Sequence, residues 1–237
     1  MRTRAFTLVE LVVVITIIAI LASIIIFNIG DYRESAEATA VTAYANEVKS
    51  KLSQSLLAEW KMEKVDAKKI YDSGRHSITG TATGTIKEET NCKEGNKCVS
   101  SQNAQVKFNS NNIPAFKFNT VCFWVKAEND SFEILKNSND FKIYSDGGII
   151  KFDVYSNNTS FISVPFSGTS LKDKEWHFIC GSIDDTKNFS GTFDGELVVT
   201  KDVNVKEFGR NPIKNMCLGC NNYKFFIDDL LLFQEPL

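Results

Sequence analysis

Polar positions almost vanish from the first thirty residues. After Met1-Arg2-Thr3-Arg4-Ala5 the chain reads FTLVELVVVITIIAILASIIIFNI from Phe6 to Ile29, with Glu10 as its one charged side chain. As a helix this run would measure about 36 Å, enough to cross a bilayer core of about 30 Å. A secretory signal has a shorter apolar core followed by small residues at a cleavage site, and no such site precedes Asp31. Arg2 and Arg4 place the N-terminus on the cytoplasmic side and the rest of the chain outside. A plain anchor gives no reason for Glu10, because a carboxylate within an apolar span is costly.

From Asp31 to about Asp66 the pattern changes period. Ala, Glu, Lys and Leu predominate, all good helix formers. Val41, Tyr44, Val48, Leu52, Leu56 and Trp60 recur at three- and four-residue steps, so the sequence predicts one amphipathic helix whose stripe packs on a head domain. Asn28 and Gly30 predict a bend where this helix meets the apolar run.

Beyond residue 70 short apolar or alternating runs are separated by Gly, Asn, Asp and Ser clusters. TVCFWVKA, FKIYS, IIKFDVY, WHFICGSI, ELVVT and KFFIDDLLLF are among them, and together they predict an all-β region. In TVCFWVK, Val121, Phe123 and Val125 face one way, and Cys122, Trp124 and Lys126 the other. Asp146-Gly147-Gly148, Asp194-Gly195 and Asn157-Asn158 are hairpin-turn signals. The 18 phenylalanines supply much of a core, and so many short strands suit a two-sheet jelly-roll sandwich. The predicted fold class is α+β: a long N-terminal helix, membrane-spanning in its first part, then an all-β sandwich head.

A short basic leader, Phe6, Glu10 four residues on and a membrane-length helix together resemble the N-terminus of type IV pilins and pseudopilins, over residues 1–60. The resemblance implies a leader at 1–5, cleavage between Ala5 and Phe6 by a prepilin peptidase, and methylation of the new N-terminus. Residues 6–29 would then form the filament-core helix and 30–69 its amphipathic extension. Glu10 would meet the N-terminal amine of a neighbouring subunit, the complementary cation that relieves a carboxylate in an apolar bundle. Partners implied are further copies in a helical filament, other pilins, the assembly machinery and, before assembly, the inner membrane of a bacterial cell. Ala5 stands where the family usually has Gly, and Ala19 and Phe27 where many major pilins carry Gly and Pro. Without that proline the helix keeps its hydrogen bonds, which leaves a minor pilin or a pseudopilin open.

Within 70–237 the order TVCFWVKA, KEWHFICGSID, FDGELVV and FFIDDLLLF is similar to the laminin G-like, concanavalin A-type jelly roll. Six cysteines in an exported chain read as a disulfide set. The pairing chosen is Cys92–Cys98, Cys122–Cys180 and Cys217–Cys220. The second is implied by the resemblance, since pentraxins, a branch of that family, carry a disulfide at that place. A four-cysteine zinc site from Cys92, Cys98, Cys217 and Cys220 is the rival reading, and a redox role for Cys-Leu-Gly-Cys a weaker one.

Enzyme chemistry finds little footing. The E-x-D-x-x-E carboxylate string of concanavalin-type glycosidases is missing, and Asp228 and Asp229, as strand neighbours, should point to opposite faces. His177, between Trp176 and Phe178, reads as structural, and His76 as a solvated loop residue. The Thr/Gly stretch TGTATGT lacks the Lys and helix of a phosphate loop. Calcium is the one cofactor considered, with Asp146, Asp184 and Asp185 as ligands by type; no other metal or cofactor is expected. A net charge of -2 gives no general basic surface for nucleic acid. Lys68, Lys69, Lys142 and Lys172 are local basic positions that sequence cannot bring together. The function expected is a non-enzymatic type IV pilus subunit, minor or major, that moves from the cell membrane to an extracellular filament and displays its head to a glycan or cell-surface ligand. The alternatives are a secretion-system pseudopilin and a membrane-tethered carbohydrate-binding protein that does not polymerise.

Overall fold

The computed structural model of the protein describes residues 7–63, 65–66, 68–74, 76–90, 92–95, 97–109, 118–137, 140–155, 160–205, 208, 216–219 and 224–237. The leader, Ala5, Phe6, the Asn157-Asn158 turn and Cys220 lie outside these residues. Contacts divide the chain into two units, 1–43 and 44–237.

One helix, α1, runs without a break from Leu8 to Lys51. The backbone stays helical through Asn28 and Gly30, so the bend expected there is not formed. One glycine costs only about 1 kcal/mol in a helix, whereas a proline would break the ladder.

The helix ends fifteen residues earlier than the amphipathic pattern predicts. After Lys51 a 3-10 turn spans Ser53–Ser55, and strand β1 follows at Leu56–Trp60. Ser53 and Ser55 turn their hydroxyls back onto the Ser50 and Leu52 carbonyls, the local competition by which serine ends helices. Leu, Ala and Glu in LLAEW favour a helix, but pairing with the last strand of the chain overrides that preference. Leu57, Ala58 and Trp60 are buried there, and the Trp60 indole N–H donates to the Ile78 carbonyl at 2.8 Å.

The remaining strands are β2 (Val65–Asp66), β3 (Lys69–Ile70), β4 (Thr79–Glu89), β5 (Cys98–Asn109), β6 (Thr120–Ala127), β7 (Phe132–Asn137), β8 (Phe141–Asp146) and β9 (Ile149–Tyr155). They continue with β10 (Phe161–Pro165), β11 (His177–Ile183), β12 (Asn188–Phe193), β13 (Glu196–Asp202), β14 (Met216–Leu218) and β15 (Phe225–Phe233). All pairings among these described strands are antiparallel. The main path runs β10-β9-β8-β7-β14-β5-β15-β6-β11-β12-β13, with β1 on β15 and β2-β3-β4 extending from β5.

This network folds over into two facing layers, a jelly-roll sandwich. The Phe152 ring of β9 lies 5.1 Å from that of Phe189 on β12. A Cβ on Gly181 of β11 would sit 2.4 Å from the Phe152 ring, so glycine is what allows the layers to close there. Phe118, Phe141, Phe152, Phe189 and Phe208 meet in stacked, tilted and edge-on pairs between the layers, geometries that add to their area burial. Val121, Phe123 and Val125 belong to this core, as their alternation predicts. The Asp146-Gly147-Gly148 and Asp194-Gly195 turns close the β8–β9 and β12–β13 hairpins. Gly147, Gly148, Asp194 and Gly195 all have positive φ, which such turns demand.

Within the 44–237 unit the last turns of α1 cover the outer face of β6, β11 and β15. Ala45, Val48 and Leu52 are buried, and the Tyr44 ring meets Phe178 edge-on at 6.1 Å. Trp124 and Phe178, which point away from the sandwich core, are therefore fully buried.

Candidate functional site

Three groups of residues carry functional content: the N-terminal turn of α1, the underside of its last turn, and the open outer face of the head.

At the N-terminal end Thr7 and Glu10 form a reciprocal cap. Glu10 Oε2 accepts from the Thr7 amide and hydroxyl, both at 2.8 Å, and the Thr7 Oγ1 accepts from the Glu10 amide at 3.3 Å. This is the capping box, legible as Thr-x-x-Glu, and it gives Glu10 a local role that the pilin resemblance does not disclose. Beyond it Leu8, Val9, Leu11 to Ile15, Ile17, Ile18, Ile20 and Leu21 are exposed on every side of the helix. A helix apolar all round requires lipid or other helices around it. Side chains are described continuously only over residues 8–23, a stretch of about 24 Å. Among the described residues no helix is long and apolar enough to cross a membrane.

The second group lies under Lys49. The Lys49 ammonium bonds both Glu94 and Asp229. The Glu94 amide donates to Asp228 Oδ2 at 2.9 Å, and the Trp124 indole N–H donates to Glu94 Oε1 at 3.0 Å. Glu94 is delivered by the loop that the Cys92–Cys98 disulfide closes. Asp228 and Asp229 reach this point together, against the expectation that they diverge. Asp228 pairs with Trp124 and Leu231 with Cys122, so Asp229 and Leu230 together oppose Phe123. That bulge, with Asp229 at φ 48, resets the alternation and puts both carboxyls on the helix-covered face. Leu230 and Leu232 then continue the core face begun by Phe225 and Ile227.

The two aspartates are 1% and 2% exposed, and one oxygen of each has no hydrogen-bond partner. Burial, with the Asp229 and Glu94 charges nearby, pushes Asp228 up to about 7. Burial also lifts Asp229 to about 7, against the pull of Lys49. Burial opposes charging Lys49 and Glu94 as well, but the contacts of Lys49 with Asp229 and Glu94, and of Glu94 with Lys49 and Asp229, outweigh it, raising the lysine and lowering the glutamate. Glu94 and Asp229 share one ammonium and Asp228 lies beside them, so three carboxylates face a single cation and the cluster holds excess negative charge. Asp228, which Lys49 does not touch, is the natural place for a retained proton. A cavity of about 200 Å³ lined also by Lys61, Glu63 and Gly95 adjoins them.

The third group is the outer face of β7 to β10. A cleft of about 210 Å³ is lined by Ser131, Phe132, Glu133, Lys142, Tyr144, Ser145 and Asp146. Lys142 bonds Glu133 at 2.9 Å and lies 4.4 Å from the Tyr144 ring centre. Tyr144 donates to Asp153 at 3.3 Å.

The three calcium candidates lie at hairpin turns of the head. Asp146 is exposed and pairs with Lys151 at 2.7 Å. Asp184 accepts from the Thr186 amide and hydroxyl and the Asn188 amide, which makes it a turn-forming residue. Asp185 is exposed in the same turn. Among the described residues no group of three or more His, Cys, Asp or Glu is arranged to hold a metal ion. Cys92 pairs with Cys98, and Cys122 with Cys180 across β6 and β11. The first pairing removes two ligands from the rival zinc reading. Cys217 is also disulfide-bonded; its expected partner, Cys220, is outside the described residues. His177 sits between Asp194, at 2.7 Å, and Asp173, at 3.0 Å. Burial lowers its pKa, but the bonds to the two aspartates prevail and hold it above 6.5.

Comparison with known proteins finds matches to both parts of the chain. Residues 1–26 match the prokaryotic N-terminal methylation motif. Over 46 residues the chain is 52% identical to the type IV wide pilus major component PilA4 of Thermus thermophilus, a match covering 19% of this chain and about a third (35%) of that protein's length. The head is similar to the binding domain of Paraclostridial Mosquitocidal Protein 1, with a TM-score of 0.63 and 16% identity over 78% of this chain and 50% of that one. It is also similar to botulinum neurotoxin type C, whose cell entry depends on two ganglioside molecules, with a TM-score of 0.61 and 16% identity over 79% and 50% of the two chains. The chain thus spans about half the length of these structures, and identity at this level establishes the shared fold alone. Residues 100–237, more than half of the sequence, match the description of the concanavalin A-like lectin/glucanases superfamily. The chain therefore belongs to that superfamily, and bears ahead of its lectin-type head the methylation motif of type IV pilins.

Proposed function

We propose that this chain is a subunit of a type IV pilus, assembled through its N-terminal helix and displaying the jelly-roll head for adhesion or surface recognition. The observation that carries the reading is the pairing of a methylation motif with a lectin-type domain in one chain. Cleavage after Ala5 gives Phe6 a free amine. The helix then waits in the bacterial membrane with its exposed apolar surface in lipid. On assembly that surface exchanges lipid for neighbouring helices, and the Glu10 carboxylate meets the Phe6 amine of an adjacent subunit, fixing axial register. The head acts by binding, not hydrolysis: its most perturbed carboxyls, Asp228 and Asp229, are shut beneath α1 and face Lys49.

The test separates the two roles of Glu10. Glu10→Gln keeps a capping-box side chain but removes the charge, whereas Glu10→Ala removes both. Both variants should insert in the membrane, and both should fail to yield filaments. Filament yield at the unsubstituted level from Glu10→Gln would refute the charge-pairing role.

A further inference from the structure

One line of directly opposed residues crosses the outer face of the head. Lys69 of β3 pairs with Thr81, Thr81 with Lys107 of β5, Lys107 with Cys217, and Cys217 with Lys136 of β7. The line continues through Lys142, Asp153 and Ser163. Opposed residues share a face, and their strand neighbours Ile70, Val106, Phe108, Met216, Leu218, Leu135 and Phe152 fill the core. The line therefore lies on the solvent side.

Lys69 and Lys107 are exposed and Lys136 is half-buried. None of the three has a hydrogen-bond or ion-pair partner among the described residues. Lys136 stands directly opposite Lys142, an arrangement that costs stability unless an anion answers it. Lys142 is answered by Glu133; Lys136 is not. Lys69, Lys107 and Lys136 recur on every second strand, so their backbone positions are about 10 Å apart. At the Lys142 end the line runs into the cleft with Glu133, Asp146, Tyr144 and Ser131, a set of hydroxyls and carboxylates suited to sugar hydroxyls.

We propose that this face binds an extended acidic polysaccharide carrying one anionic group per disaccharide, with the cleft beside Glu133 and Tyr144 taking a sugar at the end of the line. Two sugars of an extended chain cover close to the distance between successive unpaired lysines, so each ammonium meets one acidic sugar. The hydroxyl of Thr81 lies between two of them, opposite the intervening neutral sugar. Duplex DNA presents a charge every 1.7 Å or so of its axis, far denser than these lysines. Single-stranded nucleic acid needs aromatic platforms between its cations, and Thr81 and Cys217 occupy those places. The proposal rests on the reading of the head as the recognition part of the subunit. It is tested on dispersed chains, whereas that reading is tested by filament formation, so either can fail without the other.

The experiment uses the full chain in detergent micelles over surfaces bearing hyaluronan (one carboxylate per disaccharide), neutral dextran or single-stranded DNA. Hyaluronan should bind in preference to both and weaken with salt. The combined Lys69→Gln, Lys107→Gln, Lys136→Gln variant should lose about tenfold in affinity, each contact being an exposed ion pair. Lys51→Gln, Lys174→Gln, Lys187→Gln, equal in charge, should lose nothing. Binding to hyaluronan no stronger than to dextran, or an equal loss in both variants, would overturn the proposal. Binding to DNA as tight as to hyaluronan would overturn it in favour of a nucleic-acid face.

Discussion

Replacing Lys49 by Met keeps the aliphatic stem against the sheet and removes the cation that Glu94 and Asp229 share. Breaking a buried pair by deleting one partner costs about 3–5 kcal/mol. Lys49 keeps 22% of its side-chain exposure, so about 2–3 kcal/mol is the appropriate scale at pH 8. The loss must depend on pH. Asp228 and Asp229 have native pKa values near 7, above the ordinary 3.8. The native state thus holds more protons than the unfolded state between about pH 4 and pH 7, and the contribution of these groups to stability falls as pH rises through that window. At pH 5 the two aspartates are largely neutral even with Lys49 present, which leaves only the Glu94 pair to lose, and Lys49→Met should cost about 1 kcal/mol. Asp228→Asn gives the mirror image. The amide oxygen can still accept from the Glu94 amide, so the variant should be stabilising at pH 8, by up to about 4 kcal/mol from the rise of 3.8 to about 7. At pH 4 it should be neutral. The assay is thermal unfolding of the full chain in micelles at the two pH values, followed by Trp124 fluorescence, whose indole contacts Glu94 directly. His177 belongs to a separate cluster with Asp173 and Asp194, so its contribution cancels between variants. A Lys49→Met cost equal at pH 5 and pH 8, or an Asp228→Asn variant destabilised at pH 8, would refute the charge account of this joint.

Further outcomes follow from other parts of the head. Cys122→Ser with Cys180→Ser opens a cross-link of sequence separation 58; loop entropy puts the loss at about 4 kcal/mol, read as a lower midpoint in urea. Gly181→Ala forces a methyl to within 2.4 Å of the Phe152 ring, so unfolding should come about 1–3 kcal/mol earlier; an unchanged midpoint would mean the layers are farther apart than described. His177, held above 6.5 by Asp194 and Asp173, contributes stability fully present below pH 6.5 and lost as pH rises through its native value. Its ring-proton titration by NMR should report that higher value, and His177→Gln should remove this part of the pH dependence.

The strand series from TVCFWVKA to FFIDDLLLF was legible because alternation and turn residues agree with the fold, and the glycines of the Asp146 and Asp194 hairpins marked their own geometry. The end of the helix was not, since LLAEW has helical composition and becomes a strand only through pairing with β15 and burial of Trp60. Period-2 reasoning separated Asp228 from Asp229, and a single inserted residue brought them together. No local signal marks that bulge, because it depends on how β15 registers with β6. Glu10 was conspicuous as a charge in an apolar run, but Thr7 three residues before it also signals a capping box. The lysine line was out of reach for a different reason. Lys69 and Lys142 were visible as basic positions, and only the register of six strands aligns them with Lys107 and Lys136.

The central claim is assembly through a processed N-terminal helix. Mass spectrometry of filaments sheared from the native cell, with immunogold labelling of the same filaments, tests it most directly. The account predicts a mature chain beginning at N-methylated Phe6, with label along the filaments or at their tips. An unprocessed chain, or one that stays in the membrane and never enters filaments, would contradict it.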